Sequence, residues 1–460
     1  MRFHTIALAL IALVLIASCS DDSTTPQDEH APARFSRMFG SYGQQTRIHD
    51  VIVLSDGLRV VAGAFRGVLH ITASSDSVTA ATMDDFFLAA FKPDGSLAWK
   101  RTFPNGNLYS CRLARDGSDN LYMAGSYGGS TNVAGTDLSD YGLNNVMIAR
   151  LDSESDPVWV QGSGSGDNDF ALDCMTAADG GMFVCGIAGD EMTIAGEDMG
   201  QIGKNTGFLV KVNPNGVGSW AATAATSSLS SCNGVTRAAN GDVLVVGSYA
   251  GTVDIGGEVL PAGAGTRSMF IARFSNTGDP VRNLYIPAST ASAVYPNAIV
   301  QANGKIVVVG GISGTADFDV TSGAGEMTSA GTNAFVALYS DDGAFQWART
   351  FGSADPADIS AVTYTGSDLV IAGGFEGTLT LDATDLTDFG QADVFVAHLN
   401  LGGDVTRASQ IGSNEFDYVL GLTAAGGRAI VAGTAEDIVT FPNGDVRKRF
   451  GTLDGFVYQE

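Results

Sequence analysis

The chain has 460 residues, of which 45% are apolar, only 16% are charged and 59 are glycine. That is too apolar for a disordered chain and too rich in glycine for a helical one, so short strands joined by turns fit best, as two or three domains or one large all-β body. A formal charge of −25 excludes nucleic acid and an anionic membrane surface as partners, because both demand a basic footprint and "RKR" at 447–449 is the one basic cluster.

The first element is a processing segment. Residues 1–18 carry Arg2, an apolar run of eleven from Ile6 to Ile16, and small Ala17 and Ser18. Eleven residues are too few to cross a bilayer, which takes about 20 in a helix, so the run reads as a signal peptide. The stretch "IASC" ending at Cys19 resembles the lipobox of bacterial lipoproteins. The resemblance implies cleavage before Cys19, a lipid on its sulfur and an acylated amine, and several acyl chains anchor firmly where one does not. Ordinary signal cleavage with an incidental cysteine is the alternative. Ser20, in place of aspartate, points by analogy with enteric bacteria to the outer membrane. The segment 19–33 is then the lipidated cysteine and a flexible tether, since "SDDSTTPQDEHAPA" is polar, holds two prolines and has no apolar period. An exported, lipid-anchored protein of the bacterial cell envelope is expected, touching membrane only through its anchor.

From 34 to 460 the chain repeats itself. An "F-[VIL]-A" element falls at Phe87, Met147, Phe208, Phe270, Phe335, Phe395 and Phe456, at steps of 60, 61, 62, 65, 60 and 61. A second element, of the type "LVVG", ends at Gly63, Gly125, Gly186, Gly247, Gly310, Gly373 and Gly433. Two independent anchors thus agree on seven copies. The four tryptophans, Trp99, Trp159, Trp220 and Trp347, each follow the first element by twelve. Asx-Gly pairs such as Asn240-Gly241 mark tight turns between apolar runs, because those turns need positive φ. Each unit resolves into four strands.

Four antiparallel strands repeated seven times predict an all-β fold: a single seven-bladed β-propeller. The chain ends in "DGFVYQE", the first half of a unit, and the region after the tether opens with "RFSRMFG", the second half. Pairing of these N- and C-terminal strands in one blade would close the ring and remove its exposed edges. An open solenoid or two smaller propellers are the alternatives. The template "D-x-F-V-A-x-Y-x-x-x-G-x-x-x-W-x-x-x-F-G", clearest in 333–377, resembles the bacterial seven-bladed β-propeller repeat, SBBP, over nearly all of 34–460. Gly402, Gly403, Arg407 and Arg282 depart from it. That family is a structural repeat of secreted and surface proteins and implies no particular activity.

Insertions of 21–24 residues join the second and third strands of each unit. They are expected to surround the mouth of the central channel and to hold any ligand site. Acidic residues collect in the connections: Asp167 and Asp169, Asp317 and Asp319, and Asp382, Asp385 and Asp388. Ca²⁺ could use such oxygens, but no stretch reproduces a calcium loop, so capping of turns is the plainer reading and no cofactor is assigned. His4, His30, His49, His70 and His398 share neither repeat position nor metal spacing. "GSGSG" at 162–166 lacks the helix that a phosphate loop requires, and no "G-x-S-x-G" nucleophile turn is placed. The tryptophans, at one repeat position on a strand, read as packing between blades rather than a sugar platform. Cys174 and Cys185 flank one hairpin as near cross-strand partners, and an export compartment permits a disulfide between them if the register cooperates. Cys111 and Cys232 read as buried thiols. The expected function is a monomeric binding or scaffold module for protein or polysaccharide, without catalytic residues; the alternative is a hydrolase or lyase acting on a surface polymer.

Overall fold

The second and third strands of each unit read as unbroken apolar runs because both of their faces are covered. Arg59–Phe65, Asp85–Phe91 and Leu121–Tyr127 are buried at every position. The computed structural model describes residues 35–460 apart from 72–76, 82–83, 105–106, 201–202, 204 and 353–354. The signal peptide, Cys19 and the tether lie outside these. Among the described residues every regular element is a strand. They form seven four-stranded antiparallel blades, two of them lengthened by an added hairpin. The innermost strands of blades 1 to 7 are Thr46–Val53, Leu108–Arg115, Phe170–Thr176, Leu229–Arg237, Ala293–Ala302, Ala357–Tyr364 and Asp417–Ala425. The core is divided to match: seven apolar clusters, each formed between two adjacent blades.

One of those clusters joins the last blade to the first. In blade 7 the strand Phe35–Ser41 pairs antiparallel with Asp454–Gln459, Met38 opposite Phe456 and Phe39 opposite Gly455. Phe39 packs on Phe87 of blade 1, and Arg59 donates to Gln459 Oε1 at 2.7 Å. The ring therefore closes within 35–460 by pairing the two ends of the repeat region.

The tryptophans link blades, as expected. Trp159, Trp220 and Trp347 donate from Nε1 to Pro214 O, Asn276 O and Leu401 O, each in the tight turn of the next blade. Where the repeat has arginine instead, the link persists: Arg282 donates to Asp342 O, and Arg407 pairs with Glu460 at 2.8 Å.

Among the described residues the hairpins of the insertions do not surround the channel. They lie on the face predicted, yet pack at the rim. Val253–Ile255 of blade 4 pairs with the outermost strand of blade 3, Gly218–Thr226, and Val68–His70 of blade 1 pairs with Phe35–Ser41. Asn283 of blade 4 donates to Ile255 O and Glu258, so the same hairpin also grips its own blade. Each outermost strand exposes unpaired backbone groups, and a short strand laid along it satisfies them and blocks unwanted pairing.

Candidate functional site at the axial mouth

With the insertion hairpins at the rim, the channel mouth is lined mainly by the innermost strands, joined by Glu436 and Leu453 from the two ends of the blade 7 insertion. In six blades that strand bulges directly after the residue opposite the repeat glycine, the extra residues being His49, Leu172, Asn233, Asn297, Ser360 and Leu420. A bulge turns side chains off the pleat, here toward the axis. A constriction of about 200 Å³ is lined from all seven blades, by Asp50, Arg112, Asp173, Asn233, Asn297, Ser360 and Leu420 among others.

Most of these polar groups are spent joining blades. Asp50 accepts from Leu113 N at 2.8 Å, Asp173 from Val235 N at 2.9 Å, and Asn233 and Asn297 donate to Pro296 O and Ile359 O at 2.6 and 2.9 Å. Arg112 of blade 2 donates to Leu172 O of blade 3 at 3.1 Å and to Leu420 O of blade 7. Burial pushes Asp50 up to about 6 and raises Asp173 too, although Arg112 opposes both shifts.

Above the constriction, on the loop-bearing face, lies a cavity of about 590 Å³ reached by blades 1, 2, 3, 6 and 7. Its lining includes Arg47, His49, Tyr109, Arg112, Tyr418 and Glu436. Tyr109 and Tyr418 are 51% and 47% exposed, and Tyr418 stacks on Phe416 with rings 6.2 Å apart and 8° from parallel. Arg47 is exposed, with one hydrogen bond among the described residues, to Gln45 Oε1 at 3.1 Å. His49 is 6% exposed and its ring nitrogens lack partners. Burial first, then Arg112 and Arg47, push it down to about 3, so it is neutral and adds no charge.

Beside Tyr418 a narrower cleft of about 290 Å³ is lined by Asp358, Glu376 and Asp417. Asp417 and its neighbour Asp393 are 1% and 0% exposed. Each caps a turn, accepting from Ser413 N at 2.6 Å and Phe389 N at 2.9 Å, while each Oδ1 has no partner. Burial raises both, Asp417 to about 8 and Asp393 to about 6, and each has a nearby carboxylate that adds to the rise: Asp393 for the first, Asp388 for the second.

The acidic residues singled out in the sequence are turn acceptors. Asp169 takes Ser165 and Gly189 N–H groups, Asp317 takes Asp319 N, and Asp319 takes Thr321. Asp167 accepts from Asn168 N, Asp385 from Thr380, Asp388 from Gly377 N, and Asp382 pairs with Arg349. Among the described residues no three His, Cys, Asp or Glu side chains converge as metal ligands. His49, His70 and His398 stand apart, on Phe86, Phe450 and Glu460.

Cys174 and Cys185 are both buried and are not joined in this structure. Cys174 lies opposite Val184 and Cys185 opposite Asp173, a one-residue offset that turns their side chains to opposite faces of the blade. Cys174 belongs to the cluster shared with blade 2 and Cys185 to that shared with blade 4, where Cys232 also lies. Burial raises all four thiols, which suits inert packing groups.

The sequence reading missed Arg47, Tyr109 and Tyr418. The signal was available in the repeat: Arg47 and Tyr418 directly precede Ile48 and Val419, the partners of repeat glycines Gly63 and Gly433.

No family model and no curated protein matches the chain. Solved structures do resemble it in outline. A protein of unknown function from Dyadobacter fermentans is 10% identical, with 93% of this chain and 100% of that one covered and a TM-score of 0.42. A polysaccharide lyase of family PL25, an ulvan lyase, is 9% identical over 86% and 93% of the two chains at 0.44. The α-L-arabinofuranosidase of Fusarium graminearum is 9% identical over 77% and 94% at 0.41. No activity passes to this chain at such distances. The seven-bladed propeller stands on its own strand pairing.

Proposed function

We propose that this protein is a binding module of the bacterial cell envelope, exported, held by lipid on Cys19 at the outer membrane, and built of repeats of the SBBP type. Its ligand is a polysaccharide or protein taken at the axial mouth, and it works as a monomer. The observation that carries the reading is the lining of that mouth: two half-exposed tyrosines and an exposed arginine, with Glu436 the one carboxylate of the cavity wall among the described residues. Rigid aromatic rings give contact area at small entropic cost, and the bulged strands beneath hold them in place.

A second reading has its own support. The cleft beside Tyr418 gathers Asp358, Glu376 and Asp417, and a carboxyl raised to about 8 could give a proton to a leaving group in a hydrolase or lyase.

The test is capture of envelope material by the ring, residues 34–460, with and without EDTA. Retention that is lost in Tyr109→Ala and Tyr418→Ala supports binding at the mouth. Chain shortening of a captured polymer, abolished in Asp417→Asn, would favour the enzyme. Loss of retention in EDTA would bring a divalent cation such as Ca²⁺ into the site. For the anchor, Cys19→Ser should move the protein from the membrane to the soluble fraction.

A further inference from the structure

The chemistry of the mouth narrows its ligand, on the premise that the mouth is the binding site. The protein as a whole carries −25, yet the cavity lining sets two arginines against one glutamate. Asp50 and Asp173 lie beside Arg112 in the constriction below, which leaves Arg47 as the cation of the wall not set against a carboxylate there. Arg112 is committed to backbone carbonyls, but Arg47 keeps most of its donor fork free at the surface. A planar guanidinium with free donors matches a carboxylate through two parallel hydrogen bonds, a geometry that an ammonium or a neutral donor does not reproduce.

The tyrosines add a second requirement. Tyr109 and Tyr418 offer exposed ring faces, and Phe416 backs Tyr418 so that it meets a ligand already oriented. Such faces favour a partner with a flat, partly apolar side and polar groups at its edge. A small inorganic anion would leave the rings unused, and a neutral sugar would leave Arg47 unused. A cavity of about 590 Å³ lies within the roughly 300–1,000 Å³ range of small-ligand sites.

We propose that the axial mouth binds a carboxylate-bearing sugar, a uronic-acid residue of a polysaccharide, with the carboxylate on Arg47 and the ring against Tyr109 or Tyr418. Glu436, across the same lining, is placed to accept from a sugar hydroxyl.

Calorimetric titration of residues 34–460 with short oligomers of glucuronate, galacturonate and mannuronate, beside neutral oligomers of the same lengths and a glutamate-rich peptide, tests this. At least one uronate series should bind about tenfold or more tighter than its neutral counterpart, and its affinity should fall with added salt. Arg47→Gln should remove about that factor, Arg47→Lys should restore only part of it, and Tyr418→Ala should weaken both series. These residues are exposed, so unchanged thermal unfolding should accompany the losses. Equal affinity for neutral and acidic oligomers overturns the acidic class but leaves the mouth as the site, provided Tyr418→Ala still weakens binding. Binding of the acidic peptide alone, or binding indifferent to Arg47→Gln, overturns the proposal. Failure of every oligomer also overturns it, and capture of envelope material that still depends on Tyr109 and Tyr418 would then leave the binding reading standing with a different ligand.

Discussion

Gly433 and Phe456 face each other across neighbouring strands of blade 7, and a Cβ on Gly433 would stand 2.7 Å from the Phe456 ring and 2.1 Å from Tyr418 O. The two sequence anchors are therefore one structural device. The same pairing recurs in six blades, from Gly63 opposite Phe87 to Gly373 opposite Phe395, and blade 2 sets Gly125 opposite Met147. The bulge drives a carbonyl of the innermost strand against the second strand in every blade, and only a residue without a side chain leaves room for it.

Blade 6 offers a controlled test of this crowding. A Cβ at Gly373 would lie 1.9 Å from Asp358 O, whereas one at Gly374 meets nothing closer than 3.7 Å. Gly373→Ala should destabilise the protein by about 1–3 kcal/mol or more in denaturant unfolding, as overpacked cores do. Gly374→Ala should be near neutral. Equal effects of the two would remove the stated reason for the repeat glycine.

The junction of blades 6 and 7 should respond to pH. Asp417 and Asp393 titrate near 8 and 6 in the folded protein, against an ordinary value of 3.8. Folding then takes up protons between about pH 4 and 8, so these groups stabilise less as pH rises through that window. At the junction of blades 2 and 3 the matching positions are Asn145 and Asp169, and neither has an unpartnered side-chain atom among the buried groups. Asp417→Asn should raise stability at pH 8 by roughly 1–3 kcal/mol, the scale of one relieved buried group, and gain little at pH 4. Thermal unfolding across that range decides it. A constant difference at all pH values would show that the carboxylates do not carry the effect.

The tryptophan links can be separated from their packing. Trp347→Phe keeps a ring against Gly403 but loses the hydrogen bond to Leu401 O, at a cost of about 1 kcal/mol. Trp347→Ala, which removes the ring as well, should cost about 3 kcal/mol or more. Guanidinium unfolding of both variants measures the split, and a Trp347→Phe variant as weak as Trp347→Ala would mean that the ring contributes nothing.

Seven copies of each signal explain why the fold was legible. A glycine or tryptophan repeated at one register speaks for all blades, and the half-units at the two ends fit only one closure. The insertions were misplaced because their destination is set by long-range pairing. Val253–Ile255 pairs with Thr226 and its neighbours in the preceding blade, and nothing in "GTVDIGG" names that partner. The mouth was illegible for the opposite reason. Two of its residues, Arg47 and Tyr418, occupy a position where the copies differ, held in blades 5 and 6 by Tyr295 and Asp358, each directly preceding the partner of a repeat glycine. A search for what repeats passes over what varies. The offset that parts Cys174 from Cys185 arises from the bulge at Leu172, one residue that shifts every later side chain on the strand.

Closure of the ring carries the rest, since it fixes which strands face the axis and hence where the mouth lies. Amide hydrogen exchange of the intact chain measures it directly, by comparing the peptide covering Phe35–Ser41 with that covering Phe345–Phe351, an outermost strand inside the ring. Similar protection of the two, with Asp454–Gln459 slower still, is the result predicted. Exchange of Phe35–Ser41 at the rate of free peptide, while Phe345–Phe351 stays protected, would contradict the closed propeller.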